Sequence, residues 1–315
     1  MSEGVVVRAG RGLYTVHTDT GRIVPCRLRG NLKKSFTYTQ TLSTARRVEK
    51  VKKLRETDPL AVGDRVEIVI AESGIEGVIE AVLPRLKSLI RRSGSERERQ
   101  TLVANLELAV IVFAAADPRL DPFKLDRFLV IAEDVELDVL IVVNKADLAP
   151  REEIDEHLGP YRKIGYDTVV ASQVTGQGIA ELQARLQGRI SAFCGPSGAG
   201  KSSLLNAIQP GLRLKTATVG ALTHAGRHTT VRAELLLLPF GGWVADTPGL
   251  RQVEFWDLPQ EDVAFCFREM APLMGLCRFP NCQHRTEPGC AVRAAMEAGE
   301  IHPRRYQSYL QLTKN

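Results

Sequence analysis

The chain has no apolar run approaching the ~18 residues that a membrane-spanning helix requires. Its first residues, Met1-Ser2-Glu3-Gly4, lack the basic start and apolar stretch of a secretory signal. Together these absences imply a cytoplasmic protein with no membrane partner. Cysteine is sparse, at six in 315 residues, and a reducing compartment argues against a disulfide scaffold. Cys277, Cys282 and Cys290 nevertheless cluster, whereas Cys26, Cys194 and Cys266 stand apart among apolar neighbours. The cluster suggests metal and the scattered thiols suggest packing. Acidic residues are missing from one stretch in particular. Between Arg27 and Arg55 ten Lys and Arg residues face a single acid, Glu49.

That deficit locates the charge of the whole chain. Residues 1–92 hold 18 Lys and Arg against 10 Asp and Glu, while the remainder holds 24 against 27, so the formal +5 is entirely N-terminal. A basic run alone reads as a solvated face; a polyanionic partner gains weight from what surrounds it. Short β-rich runs surround it, at 4–7, 13–18, 23–28, 62–69 and 77–83, separated by turns such as Asp19-Thr20-Gly21. Their alternation predicts a small all-β barrel of OB type, with 30–56 as a long basic loop. Such barrels bind single-stranded nucleic acid in basic grooves, and Phe36 and Tyr38 are candidates to stack on bases.

A polar connector, 86–100, places the domain boundary after Arg92. Beyond it, apolar runs at 106–115, 139–143, 168–171 and 190–194 alternate with helical spacing at 123–133, 179–186 and 201–208. This predicts a mostly parallel α/β sheet, whose ligands bind at the carboxyl ends of the strands. The expected division is 1–92 barrel, 93–250 nucleotide-binding domain and 251–315 metal-binding domain.

The motifs fall where that sheet would use them. Gly195-Pro196-Ser197-Gly198-Ala199-Gly200-Lys201-Ser202 follows a strand and opens a helix, the context a phosphate loop requires. Its glycines let backbone N–H groups approach phosphates, Lys201 reaches the β and γ oxygens, and Ser202, followed by Ser203, offers a hydroxyl to Mg²⁺. Asn144-Lys145-Ala146-Asp147 supplies the base preference. The Asp147 carboxylate can accept both N1–H and N2–H of guanine, a donor pair that adenine does not present. Ser172 lies in the expected second base-contacting loop. Asp246-Thr247-Pro248-Gly249 ends another strand, placing Asp246 near Mg²⁺ and the Gly249 amide near the γ-phosphate. Between them, Gly226-Arg227-His228-Thr229-Thr230 must supply a threonine to Mg²⁺, either Thr229 or Thr230.

One more residue is lacking. After Gly249, where many GTPases place a water-orienting Gln, this chain has Leu250. Intrinsic hydrolysis should be slow and should draw on another group, for which His224 and His228 are candidates. Cys277-x4-Cys282-x-His284-x5-Cys290 provides three thiolates and an imidazole, a closed tetrahedral set suited to one structural zinc. Helices are expected at 291–299 and 304–312.

The order of these motifs is rotated, with Asn-Lys-x-Asp ahead of the phosphate loop, as in a circularly permuted GTPase. On Asn144–Asp147, Gly195–Ser202, Gly226–Thr230, Asp246–Gly249 with Leu250, and Cys277, Cys282, His284 and Cys290, the whole chain resembles the RsgA (YjeQ) family. These are bacterial circularly permuted GTPases of small ribosomal subunit assembly, with OB-fold, GTPase and zinc domains in that order. The resemblance implies that the GTP form binds the nearly mature 30S subunit and its 16S rRNA near the decoding region. It further implies that the ribosome stimulates hydrolysis and that GDP formation releases the factor, expected to act as a monomer. The basic insertion 31–57 departs from the family pattern. A competing reading is an RNA-binding scaffold regulated by GTP, with incidental turnover; a DNA-binding zinc ATPase is disfavoured by Asp147 and by the cysteine spacing.

Overall fold

Strand alternation is realised first in β1 (Ser2–Ala9), β2 (Leu13–Thr18), β3 (Ile23–Leu28), β4 (Lys34–Tyr38), β5 (Val48–Lys53), β6 (Arg65–Ile70) and β7 (Gly77–Val82). These belong to a computed structural model that describes residues 1–10, 12–30, 34–38, 48–53, 60–72, 74–93, 98–210, 234–246 and 259–314. β1 pairs antiparallel with β2 and β6, β2 with β3, and β6 with β7, while β3 runs parallel to β7, so five strands close on themselves. This is the OB-type connectivity expected. Every second residue of β2 and β3, Tyr14, Val16, Val24, Cys26 and Leu28 among them, points into a core shared with Val6, Val66, Ile68 and Ile79.

Two readings of the basic region change. The expected loop 30–56 contains an antiparallel hairpin, β4 with β5, in register Lys34↔Lys53 and Phe36↔Val51. The β-forming residues Phe36, Tyr38, Val48 and Val51 lie hidden among lysines that dominate the composition. The expected connector is also a hairpin, of β8 (Ser88–Ser93) and β9 (Glu98–Ala104). It is tied back to the barrel by Ala104 N–H to Val62 O (2.8 Å) and Asn105 Nδ2 to Gly63 O (3.0 Å). Beside it, Arg85 grips the fully buried Asp64 through Nε (2.6 Å) and Nη2 (2.8 Å) and donates to Thr101 Oγ1 (3.0 Å). Compactness accordingly groups Met1–Leu106, with short pieces that include residues 234–236 and 245–246, as one unit and the rest as a second.

The second unit is built on a parallel sheet in which Leu108–Ala114 pairs with both Asp138–Asn144 and Ile190–Cys194, and Asp138–Asn144 with Asp167–Val170. These are β10 (Leu108–Ala114), β11 (Asp138–Asn144), β12 (Asp167–Val170) and β13 (Ile190–Cys194), followed by β14 (Glu234–Leu237), which turns into β15 (Trp243–Asp246). β10 and β13 are buried along their whole length, as strands covered on both faces must be. The helices are α1 (Pro122–Asp134), α2 (Arg151–Lys163), α3 (Ile179–Leu186) and α4 (Lys201–Ile208). Pro at the first position and the Asp121 carboxylate, accepting from the N–H groups of Phe123 and Lys124, set the start of α1. α2 was not expected from the sequence. It is strongly polar and carries Pro160 internally, so only Ile154, Leu158 and Tyr161 mark its buried face.

The C-terminal part belongs to this same unit. Short 3₁₀ turns at Val263–Cys266 and Ala271–Leu273 lead to α5 (Ala291–Glu297) and α6 (Pro303–Leu312). Their core, with Phe267, Met270, Val292, Ile301, Tyr306 and Tyr309, includes Val130 of α1. At its edge the Arg305 guanidinium, 2% exposed, meets Asp126 of α1 (2.6 Å) and Glu269 (2.6 and 3.1 Å). Tyr161 of α2 donates to the same Asp126 carboxylate at 2.9 Å. Among the described residues no helix is long and apolar enough to cross a membrane.

Candidate functional site

The backbone of the phosphate loop is specified by what lies against it. Gly195 has φ 131°, and a Cβ there would stand 2.1 Å from Val112 O; Gly200 has φ 84°, and a Cβ would stand 2.4 Å from Asn144 Nδ2. Neither position tolerates a side chain, so the loop curls closely around its own N–H groups before α4 begins. Ala199 is buried, Pro196, Gly200, Lys201, Ser202 and Ser203 are half-buried, and Ser197 and Gly198 face solvent. Lys201 Nζ donates to the carbonyls of Gly195 and Pro196, both at 2.7 Å, and so stands over the loop.

Asn144 ends β11 and is completely buried. Its Nδ2 donates to Ala199 O at 3.1 Å, so the base-reading motif physically holds the phosphate loop. Its Oδ1 is buried with no protein partner, the kind of orphaned acceptor that a polar ligand satisfies. Lys145 adopts left-handed φ 57° and its ammonium is bound by Asp117 O; Pro118, the next residue, lies 3.1 Å from where a Cβ on Gly198 would be. Ala146 donates its N–H to Ala171 O at 3.1 Å. Asp147 is exposed, and one of its oxygens accepts from Ser172 Oγ at 2.5 Å. Ser172 in turn accepts from the N–H groups of Val174 and Thr175, both at 3.2 Å, which fixes its hydroxyl toward Asp147. Four loops that the sequence scatters between Ala115 and Ser203 thus meet at the carboxyl ends of β10, β11, β12 and β13. Asp246 closes β15, with its side chain outside the described residues. Thr229, Thr230, His224, His228, Gly249 and Leu250 also lie outside them.

The second constellation is a candidate metal centre. The donor atoms of Cys277, Cys282, His284 and Cys290 all lie within 4.8 Å of one another. Cys277 Sγ and Cys290 Sγ are each 3.4 Å from His284 Nδ1 and 3.9 Å apart. Tetrahedral zinc, with Zn–S ~2.3 Å and Zn–N ~2.0 Å, requires S···N of about 3.5 Å and S···S of about 3.8 Å, so the donors fit the ion. Burial pushes the Cys282 thiol up to about 12 and pulls the His284 imidazole down from its usual range. A buried cation is what would convert such thiols to thiolates, and a neutral imidazole is the form that ligates.

Sequence reasoning points to Pro288 and Gly289 as turning this loop, but not to the side chains that hydrogen-bond its backbone. Glu287 accepts N–H groups from Gln283 (2.9 Å), Arg285 (2.7 Å) and Thr286 (2.9 Å), bracketing His284. Burial raises its pKa, but those backbone donors outweigh it and hold the carboxyl at about 2. Tyr306 and Tyr309 hydroxyls donate to His284 O (2.7 Å) and Gln283 O (2.9 Å). The one available signal was an acid between two ligands, in Glu287-Pro288-Gly289. Burial pushes the scattered thiols up in the same way, Cys26 to about 11 and Cys194 and Cys266 to about 12, but among the described residues no donor set surrounds them, as expected of packing groups.

Comparison with known proteins agrees with the motif order. The family profile of the RsgA GTPase matches residues 82–256. The small ribosomal subunit biogenesis GTPase RsgA of Moorella thermoacetica is 46% identical, over 98% of this chain and 95% of that protein. Its namesake in Gemmatimonas aurantiaca is 44% identical, with the same coverages. Among solved structures, YjeQ from Thermotoga maritima superposes with a TM-score of 0.77 at 35% identity, covering 99% of this chain and 97% of that one. YloQ, described as a circularly permuted GTPase, gives 0.73 at 31%, covering 99% and 94%. A permuted nucleotide-binding sheet, an OB-type barrel and a Cys₃His cluster in one chain, matched end to end by these relatives, show that it belongs to the RsgA GTPase family.

Proposed function

We propose that this GTPase acts in biogenesis of the small ribosomal subunit, binding the 30S particle and its 16S rRNA in the GTP state. Hydrolysis would serve as a timer for late maturation and for its own release. The observation that carries the nucleotide part is the Asn144 amide on Ala199 O, which makes the guanine-reading loop and the phosphate cradle one assembly. The names of relatives at 46% and 44% identity support the ribosomal part. So does the basic surplus of residues 1–92, the electrostatic footprint of an RNA-facing surface.

In this reading Asp147, with one oxygen steadied by Ser172, presents the other to guanine N1–H and N2–H. Lys145 lays its stem along the base or ribose, with its ammonium anchored on Asp117 O. The N–H groups from Gly195 to Ser203 receive the phosphates, and Lys201 exchanges its two carbonyl partners for β and γ oxygens. The Mg²⁺ that accompanies the nucleotide would supply neutralisation of phosphate charge. Ser202, Asp246 and Thr229 or Thr230 are its proposed holders, and Gly249 the proposed γ-phosphate donor. His224 or His228 takes the place of the missing Gln. Cys277, Cys282, His284 and Cys290 would hold a zinc ion with all four positions filled, so the ion would supply folding energy rather than chemistry.

GTP turnover measured with and without purified 30S subunits tests the reading, alongside Asp147→Asn assayed for xanthine nucleotide. Strong stimulation by 30S and a guanine-to-xanthine switch are expected. Bound GTP with turnover indifferent to 30S would instead support the GTP-regulated RNA-binding scaffold.

A further inference from the structure

α1 carries Asp126 and Glu133 seven residues apart, hence on one face two turns distant. Each receives an arginine from the C-terminal segment. Arg305 of α6 binds Asp126, and Arg268 binds Glu133 at 2.7 Å while donating to Gly165 O at 2.8 Å. Between the two acids, Val130 enters the apolar core formed by Phe267, Met270, Val292, Tyr306 and Tyr309. α1 is therefore a structural member of the C-terminal core as well as a helix of the nucleotide-binding sheet.

Both ends of this connection reach a site. Upstream, α1 follows directly from the loop in which Asp117 O holds the Lys145 ammonium and Pro118 borders Gly198 of the phosphate loop. Downstream, Arg305 is adjacent on α6 to Tyr306, and the hydroxyls of Tyr306 and Tyr309 hold the carbonyls of His284 and Gln283 in the metal loop. α6 thus grips α1 with one side chain and the metal loop with two others.

We propose that Arg305 is a positioning residue that links the Cys₃His centre to the guanine nucleotide site. Metal loading tightens nucleotide binding, and nucleotide tightens metal binding by the same factor. The inference rests on the nucleotide reading above, and its route through α6, α1 and the Asp117 loop does not need the segment after Asp246. The physical reason is that a guanidinium buried between two carboxylates cannot be displaced on its own. If the metal loop loosens and releases the tyrosine hydroxyls, α6 moves and Arg305 must carry Asp126, and α1, with it.

The measurement is the affinity of a fluorescent GDP analogue for the full chain, zinc-loaded and chelator-treated, with the reciprocal zinc affinity with and without GDP. Wild type is expected to lose GDP affinity on chelation by about 5- to 10-fold, within the usual range of coupling between sites. Arg305→Lys keeps the charge but not the planar fork that spans two carboxylates. It should retain one zinc per chain while the factor falls towards 1. A Tyr306→Phe, Tyr309→Phe double variant preserves packing, removes only the hydroxyls to the metal loop, and should lower the factor likewise should the lysine variant fail to fold. A wild-type factor near 1, or variants that bind zinc and keep the full factor, would overturn the proposal. GDP failing to bind in either metal state would overturn the nucleotide reading, and this coupling with it.

Discussion

Each unit of the molecule buries an arginine–carboxylate site, and the two are built in opposite senses. In the barrel the carboxylate is the buried partner. Asp64 is 0% exposed and accepts from Arg85 and from Ala61 N–H (2.7 Å), while the Arg85 guanidinium remains 29% exposed and shares its charge with water. In the C-terminal core it is the cation that is enclosed, at 2% exposure, with Asp126 and Glu269 at 0% and 5%. Burial pushes the Asp126 carboxyl up despite the guanidinium beside it, while its carboxylate neighbours keep Arg305 firmly protonated. The same residue types therefore make a turn lock in one place and a buried keystone in the other. The difference lies in which partner gave up its water.

Removing the cation should expose this difference. Arg305→Met leaves two carboxylates facing each other in the core and is expected to cost about 3–5 kcal/mol of stability in the second unit. Arg85→Met leaves Asp64 with a backbone donor close to solvent, for a smaller loss of about 1–3 kcal/mol. Urea unfolding followed separately in each unit by hydrogen exchange reads both, and a larger loss for the Arg85 variant would break the comparison. Arg65 sharpens it. This arginine also meets two acids, Glu3 and Asp19, both at 2.8 Å, but at 39% exposure. Arg65→Ala should cost under about 1 kcal/mol and less at high salt, because geometry without burial stabilises little.

Glu287 adds a carboxylate whose partners are neutral. Glu287→Ala should weaken zinc about 10- to 100-fold, the usual effect of losing groups that orient a ligand, measured by chelator competition. Its folded pKa, about 2, lies below the ordinary 4.5, so its contribution to stability is complete above 4.5 and is lost as pH falls through about 2. Between pH 5 and 8 the variant's deficit should therefore be independent of pH in so far as it arises from this carboxyl. A deficit that grows with pH in that window would mean that Glu287 acts otherwise.

Sequence alone reached the regular parts because local pattern and tertiary role agree there. β2, β3 and β13, and α3 and α4, appear at the residues their periodicity indicates. The Cys₃His cluster was legible because side-chain chemistry at fixed spacing needs no fold to be recognised. The parts that escaped have their cause outside their own segment. α2 hides three apolar anchors in a polar run interrupted by Pro160. The β8–β9 hairpin looks like a linker because polar residues crowd its turn. Arg305 could not be read as buried, since nothing in Pro303–Leu312 reveals that Asp126, far upstream, and Glu269 await it. Compensation by a distant residue is invisible to a local pattern.

The left-handed backbone at Lys145 (φ 57°) and His284 (φ 59°) has a consequence for sequence drift. A non-glycine residue is disfavoured in that conformation, and glycine would fit it at little net cost to the fold. What holds a lysine at one and a histidine at the other is side-chain chemistry, the ammonium on Asp117 O and the imidazole against the sulfurs of Cys277 and Cys290, to which the proposed nucleotide and metal would add. In a gene copy released from its task, 145 and 284 should be among the first positions to erode towards glycine or asparagine while the surrounding core stays intact. Their identity can then serve as an inexpensive marker for separating working copies from retired ones.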